Sequence, residues 1–300
     1  MDKSAKIYVA GADTLIGSAI VRELRRQGHH QVSSLADEDL ERAAPEYVFV
    51  AGGKSGGISA NQRKPATLML DNLLVATRTI AAAHCCGVKK LLYLASSCCY
   101  PKSSPQPMKV ESLLTGPLEP TSEAYALAKI AGLKLCQAYR QEYGAPFICG
   151  IMADVFGPCR TLDLKDLHVV PALLWRMHTA KQQGAPAVEI WGSGTPRREF
   201  IYADDAANAC VFVMQQYDEA APINLGGGTD LSIREAAETI QRVVGYAGEL
   251  RFNASKPDGA LLKRLDSSRL QALGWRSSTS FETGLQATYR SLLELEQSNK

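Results

Sequence analysis

The chain reads as an α/β protein in which a parallel, doubly wound sheet carries a smaller C-terminal lobe. Three observations lead there. Short apolar runs of strand type alternate with helical patterns through the first half of the 300 residues, as they do where helices cross over between parallel strands. Glycines mark the turn between the first strand and the first helix. After Met152 the alternation stops, and Gly157-Pro158 with the polar segment to Leu167 reads as a loop into a different set of elements.

Taken in order, Lys6 to Ala10 is a β-type run. Ser18 to Gln27 then places Ile20, Val21 and Leu24 at helical spacing, giving strand, tight turn and helix. Further strands are expected at Gln31 to Leu35, Tyr47 to Val50, Lys90 to Leu94 and Phe147 to Met152, with helices at Pro65 to Cys86 and Ser122 to Tyr143. Beyond the loop, Val169 to Lys181 is a helix; Phe200 to Tyr202 and the helix Asp204 to Gln216 are expected to return to the first sheet. Ser232 to Val244 and Phe281 to Glu294 read as peripheral helices. The resulting division is 1–157 with about 200–225 as one domain, and about 158–199 with 226–300 as the lobe.

Composition narrows the function. With 46% hydrophobic and 21% charged residues the chain can bury a full core, and a net charge of +2 with scattered Lys and Arg offers no basic field for nucleic acid. No run reaches the ~20 apolar residues of a membrane span, and Met1 to Lys6 lacks the pattern of a signal peptide. A cytoplasmic protein is expected. The eight cysteines include no Cys-x-x-Cys, so they read as reduced, mostly buried thiols with no metal.

Gly11-Ala12-Asp13-Thr14-Leu15-Ile16-Gly17 stands where a Rossmann-like fold keeps its phosphate turn, because glycine lets the backbone approach a pyrophosphate at a helix N-terminus. Two glycines alone could be an ordinary turn; their place after the first strand is what counts. The residues near this turn are acidic: Asp13 within it, and Asp37, Glu38 and Asp39 after the second strand, with no Lys or Arg between His30 and Arg42. That chemistry leans towards NAD, whose ribose hydroxyls a carboxylate binds, over NADP, whose phosphate wants a cation.

Tyr125 and Lys129 are four apart in a helix and share a face, so a lysine ammonium can lower the phenol's pKa and let Tyr exchange a proton with a carbonyl or alcohol. The strand Leu91-Leu92-Tyr93-Leu94-Ala95 runs into Ser96, which puts a serine hydroxyl at a strand's carboxyl end, where α/β sheets bind ligands. Ser96, Tyr125 and Lys129 together form a carbonyl-reducing constellation. Read alone, His168 is a loop or interfacial histidine and Cys98 a structural thiol.

These residues, in their setting, resemble the GDP-L-fucose synthase family of extended short-chain dehydrogenases/reductases, dual epimerases and reductases of a GDP-4-keto-6-deoxy sugar. The resemblance spans nearly the whole chain. It rests on Lys54-Ser55-Gly56-Gly57-Ile58, Ser96 to Lys102, Gln106-Pro107-Met108, Leu118 to Thr121, Tyr125 to Gly132, His168 to Leu174, Trp191 to Pro196, Arg198-Glu199-Phe200 and Ser255 to Gly259. It implies that Ser96, Tyr125 and Lys129 are the reductase triad and that Cys98 and His168 are the acid/base pair inverting C3 and C5. For the cofactor it implies NADP(H), held by Gly11, Ala12, Leu15, Ile16, Gly17, Leu94, Lys129, Met152, Val155 and His168. For the GDP-sugar it implies Arg176, Trp191, Arg198 and Asp258, in a substrate-binding C-terminal lobe; members of the family are commonly dimers.

This sequence departs from the family at several points. Thr14 replaces the middle glycine of the turn, Asp13 stands where some relatives have Arg, and Ser33 to Glu46 is short. Met152-Ala153-Asp154 takes the place of Pro-Thr-Asn, and Thr161 to Leu164 lacks the Asn-Phe-His-Pro pattern. Two other readings therefore stand beside the first: an epimerase without net reduction, and a non-catalytic nucleotide-binding relative.

Overall fold

The computed structural model describes residues 1–33, 40–158, 167–256 and 258–298. Its first layer is a six-stranded parallel sheet in the order β10-β5-β4-β3-β1-β2, formed by β1 (Ile7–Ala10), β2 (Val32–Ser33), β3 (Tyr47–Val50), β4 (Lys90–Ser96), β5 (Phe147–Met152) and β10 (Ile223–Leu225). β1, β5 and β10 are buried at every position, and β4 along Leu91 to Ala95. That is the burial expected when helices cover both faces of a parallel sheet. Those helices are α1 (Leu15–Arg26), α2 (Leu40–Ala43), α3 (Ile58–Arg63), α4 (Pro65–Cys85), α5 (Glu123–Tyr143) and α7 (Ala203–Gln216).

The strand order reverses between β1 and β3, so a crevice opens at their carboxyl ends. Close packing there explains the glycines: Gly11 has φ +77°, and a Cβ on it would overlap Gly52, just beyond β3. On the other side of β1, β2 is the outermost strand and pairs through two residues only. Gln31 to Leu35 was expected as a longer strand; the described part is Val32–Ser33, and 34–39 lie outside the described residues.

The second layer packs α6 (Val169–Gln183), α8 (Ile233–Val244) and α10 (Phe281–Ser298) around Leu174, Met177, Ala237, Ile240 and Leu285. Thus α8 and α10 are not peripheral: their apolar stripes, legible in the periodicity, close a second core. Ser232 and Glu235 form a reciprocal cap at the start of α8, and α5, α6 and α8 each end on a left-handed glycine, Gly144, Gly184 and Gly245. Small sheets join the layers: β6 (Asp154–Phe156) with β9 (Phe200–Tyr202); β7 (Ala187–Trp191) with β12 (Glu249–Asn253); and β8 (Arg197–Arg198) between β11 (Leu231–Ser232) and β13 (Leu262–Lys263).

Phe200 to Tyr202 is a correction. Its strand pairs with β6 outside the main sheet, because its rings stack with Phe156 and Phe281 in the second core. The strand that does return is β10, against β5. The short α9 (Ser268–Ala272) and Trp275 also pack on the first core. No helix among the described residues is long and apolar enough to cross a membrane.

Candidate active site

The turn after β1 is shaped by Thr14, the residue standing in for a glycine. Its hydroxyl accepts from Gly17 N at 3.0 Å and lies 2.7 Å from Gly11 O and 3.1 Å from Ala51 O. One side chain therefore caps α1 and ties the turn to the end of β3, a role that glycine cannot fill. Gly17 fits because any Cβ there would run into the Gly11 carbonyl. Ala12, Leu15 and Ile16 are half-buried in the same turn, and Asp13 is exposed. The tight turn, the helix N-terminus and the switch point form a cradle that fits a dinucleotide pyrophosphate. Leu94 and Met152 are buried in β4 and β5, with Met152 in register with Ser96, and Val155 is half-buried in β6. The acidic residues 37–39 lie outside the described residues.

Ser96 ends β4, where its hydroxyl oxygen accepts from Cys98 N at 3.3 Å and so caps the short turn Ser97–Cys99. The same side chain faces the Tyr125 phenol of α5 and pulls its pKa down against burial. One turn further along α5, Lys129 is buried and donates from Nζ to Gly52 O at 3.4 Å. Gly132, another turn on, leaves room for the Tyr93 ring; α5 thereby lies close over β4. The sequence-predicted Ser, Tyr and Lys thus meet at the crevice.

Burial, reinforced by Cys98 and Cys99, pushes the Tyr125 phenol far above its usual value, with the Ser96 side chain pulling the other way. Lys129 lies with its ammonium 5.9 Å from the phenol ring centroid and its hydrogen bond directed to Gly52 O. Lys129 is itself pushed down to about 8 by burial, against the attraction of Cys99 and Asp71. At neutral pH it remains largely an ammonium.

Cys98 faces a group that the sequence reading missed. Lys263 of β13 places Nζ 3.4 Å from Cys98 Sγ and 3.4 Å from Asp154 Oδ1. Burial disfavours both charges of the pair. The attraction of Lys263, then Arg198 and His168, nevertheless holds Asp154 below the usual carboxylate range, and Asp154 and Cys98 raise Lys263 above the usual lysine range. Asp154 is one of the departures noted above, and its carboxylate is what balances Lys263. Nothing in the spacing marks the pair, since the partners are 109 residues apart.

His168 occupies the N-cap position of α6, with Nε2 3.4 Å from Ser55 Oγ. Desolvation, helped by Lys263 and opposed by Asp154, lowers its imidazole. Lys263 thus touches Cys98, and the same Asp154–Lys263 pair acts on the His168 imidazole. The Lys54 to Ile58 motif positions this wall. Asp71 and Asn72 of α4 hold Lys54 through its N–H and carbonyl, and a Cβ on Gly57 would come within 2.7 Å of Leu167 O, beside His168. The departure at Thr161 to Leu164 lies outside the described residues.

The predicted substrate residues fall into two places. Arg198 is near the ion pair; it donates to Arg197 O at 2.8 Å and Ala260 O at 2.7 Å, and burial lowers its guanidinium against the pull of Asp154 and Cys98. Arg176 and Trp191 lie together further along α6, the guanidinium carbon 5.8 Å from the indole centroid. Asp258 accepts from Ser193 N at 2.7 Å and Ser193 Oγ at 2.8 Å, so in this structure it pins its own loop to the turn after Trp191.

Comparison with known proteins agrees with this geometry. The family described as "NAD dependent epimerase/dehydratase family" matches residues 7–226. The chain belongs to the NAD dependent epimerase/dehydratase family. This epimerase/dehydratase is 47% identical over 300 residues to GDP-L-fucose synthase 1 of Arabidopsis thaliana, covering 96% of the chain and 93% of the relative. That bears out the resemblance carried by its motifs. Among solved structures it is similar to a GDP-L-fucose synthetase from Naegleria fowleri bound to NADP, at TM-score 0.91 and 25% identity, covering 99% of this chain and 97% of that one. It is also similar to a GDP-mannoheptose C4 reductase from Campylobacter jejuni with NADP bound, at TM-score 0.88 and 31% identity, covering 98% and 99%. As an epimerase/dehydratase it is a nicotinamide-dependent enzyme with a Rossmann-like sheet.

Proposed function

We propose that this protein is a cytoplasmic GDP-sugar 3,5-epimerase and 4-reductase that converts a GDP-4-keto-6-deoxy-hexose, or a closely related GDP-4-keto sugar, to a GDP-L-sugar such as GDP-L-fucose. The observation that carries the reading is the convergence at one crevice of Ser96, Tyr125 and Lys129 with Cys98 and the ion pair that also acts on His168. On this reading 1–157 with about 200–225 binds the cofactor and about 158–199 with 226–300 binds the sugar nucleotide; two cores favour two such units, with Phe156, Phe200 and Tyr202 crossing into the second core and Leu265, Leu270 and Trp275 into the first.

A 4-ketone acidifies hydrogens on C3 and C5. Cys98 and His168 take a proton from one face and return one to the other, while Lys263 and Arg198 keep the pocket positive against the developing enolate. Ser96 and Tyr125 hold the C4 oxygen, and Tyr125 gives it a proton as the ketone is reduced; its raised pKa keeps it protonated until then. When bound, the nicotinamide supplies the hydride. Gly11, Gly17 and the N-terminus of α1 would hold its pyrophosphate, and Ala12, Leu15, Ile16, Leu94, Lys129, Met152, Val155 and His168 would bind the rest of the cofactor.

Similarity to NADP-bound structures favours NADPH. A second reading, NADH, is favoured by Asp13 in the turn. Assembly as a homodimer belongs to the same proposal by family resemblance. The test incubates the protein with GDP-4-keto-6-deoxy-D-mannose and either cofactor, following nicotinamide oxidation and solvent deuterium at C3 and C5. Oxidation with deuterium at both carbons supports the dual activity and names the cofactor. Deuterium without oxidation would replace it with epimerisation alone, and neither signal would refute it for this sugar.

A further inference from the structure

Away from the reactive cluster, α6 and β7 enclose a groove of about 480 Å³, within the ~300–1,000 Å³ common for small-molecule sites. Trp175, Arg176 and Gln183 line its helical side, and Glu189 and Trp191 its strand side. Glu189 and Trp191 are alternate residues of β7. They share its exposed face, whereas Val188 and Ile190 turn into the second core. Trp191 is 51% exposed, with the Lys256 ammonium 5.4 Å and the Arg176 guanidinium 5.8 Å from its ring centroid. Such an indole is an aromatic platform in a cationic setting, suited to a flat ring that carries phosphates. Asn253 of β12 donates to Glu189 Oε2 at 3.2 Å and orients the carboxylate.

The groove is placed to receive the far end of a long substrate. His168 occupies the N-cap position of α6 and Arg176 lies eight residues on, roughly 12 Å along the axis at 1.5 Å per residue. A substrate with its sugar beside His168 therefore runs its diphosphate past Arg176 and its base into the groove.

We propose that this groove takes the nucleobase and that Glu189 reads it as guanine. The base lies on the Trp191 indole, and the two Glu189 oxygens accept from N1–H and the exocyclic amine on one edge of guanine. Adenine has an acceptor at N1 and would face the carboxylate with a lone pair; hypoxanthine keeps N1–H but lacks the amine. Glu189 is thus a specificity-determining residue. The inference rests on the GDP-sugar reading and adds the group that selects the base.

Calorimetric titration of the wild-type protein and Glu189→Ala with GDP, IDP and ADP tests it. A hydrogen bond to a charged group is worth ~1.5–3 kcal/mol, so wild type should bind GDP about tenfold or more tighter than IDP, and ADP more weakly still. Glu189→Ala should lose about tenfold in GDP affinity and bring the GDP-to-IDP ratio close to one. Glu189 is exposed on its strand, so the variant should keep the wild-type circular dichroism. A Glu189→Ala protein that keeps the wild-type ratio overturns this assignment and leaves the GDP-sugar reading standing. A wild-type protein that binds no GDP overturns both.

Discussion

Replacing Asp154 by Asn keeps the side-chain volume and removes the charge that balances Lys263. Asp154 and Lys263 are separated by 3.4 Å, with side-chain exposures of 36% and 19%. Breaking a fully buried pair costs ~3–5 kcal/mol, and an exposed pair contributes ~0–1 kcal/mol. Solvent reaches this carboxylate, so the effect should fall between, at ~1–2 kcal/mol. The pH dependence has a definite sign. The folded pKa of Asp154 lies below its unfolded value, so its contribution is present above the unfolded carboxylate range and disappears as pH falls through the folded value. Lys263 lies above its unfolded value, so its share survives until strongly alkaline pH. Urea unfolding of wild type and Asp154→Asn should accordingly differ by ~1–2 kcal/mol at neutral pH and converge in acid. Equal stability at neutral pH, or a gap of the same size in acid, would refute the argument that this ion pair is electrostatically coupled. In the same variant, Lys263 loses the carboxylate that holds it beside Cys98, so deuterium exchange at C3 and C5 should slow more than hydride transfer.

Tyr125→Phe should lower ketone reduction by ~10²–10⁴-fold while the solvent-exchange signal persists, and equal loss of both would remove the phenol from its proposed role. Cys98→Ser should do the reverse, abolishing exchange at the carbons next to the ketone; unchanged exchange would take Cys98 out of the epimerisation. Burial lowers Lys129 to about 8, so its charge is present below that pH and lost above it. The reductase pH profile should therefore fall on an alkaline limb near 8 that Lys129→Met eliminates, and a limb surviving that change would belong to another group. Thr14→Ala removes the hydroxyl shared by Gly17 N, Gly11 O and Ala51 O, and should cost ~1–2 kcal/mol in thermal or urea unfolding as a lost helix cap. No measurable change would show that water replaces it.

The order of elements and the reductase triad were legible in the sequence because both are set by local pattern. Apolar periodicity and terminal signals bounded β1, α1, α5 and α8 to within a few residues, and the four-residue spacing of Tyr125 and Lys129 on a helix fixes their common face. Ser96 could be placed because it follows directly from a strand. Cys98 and His168 took their candidate roles from family resemblance, since neither spacing nor composition distinguishes a reactive thiol or imidazole from a structural one.

What tertiary structure decided is pairing and electrostatics. Phe200 to Tyr202 joins β6 and not the main sheet, because partner choice depends on which core takes the aromatic rings. Lys263 reaches Cys98 and Asp154 only through the folding of a distant segment across the crevice, and the Tyr125 phenol rises because burial outweighs its interaction with Ser96. Hydrophobic period is a property of neighbouring residues and survives in one dimension. A pKa and an ion pair depend on distance and dielectric, which exist only once the chain has closed on itself.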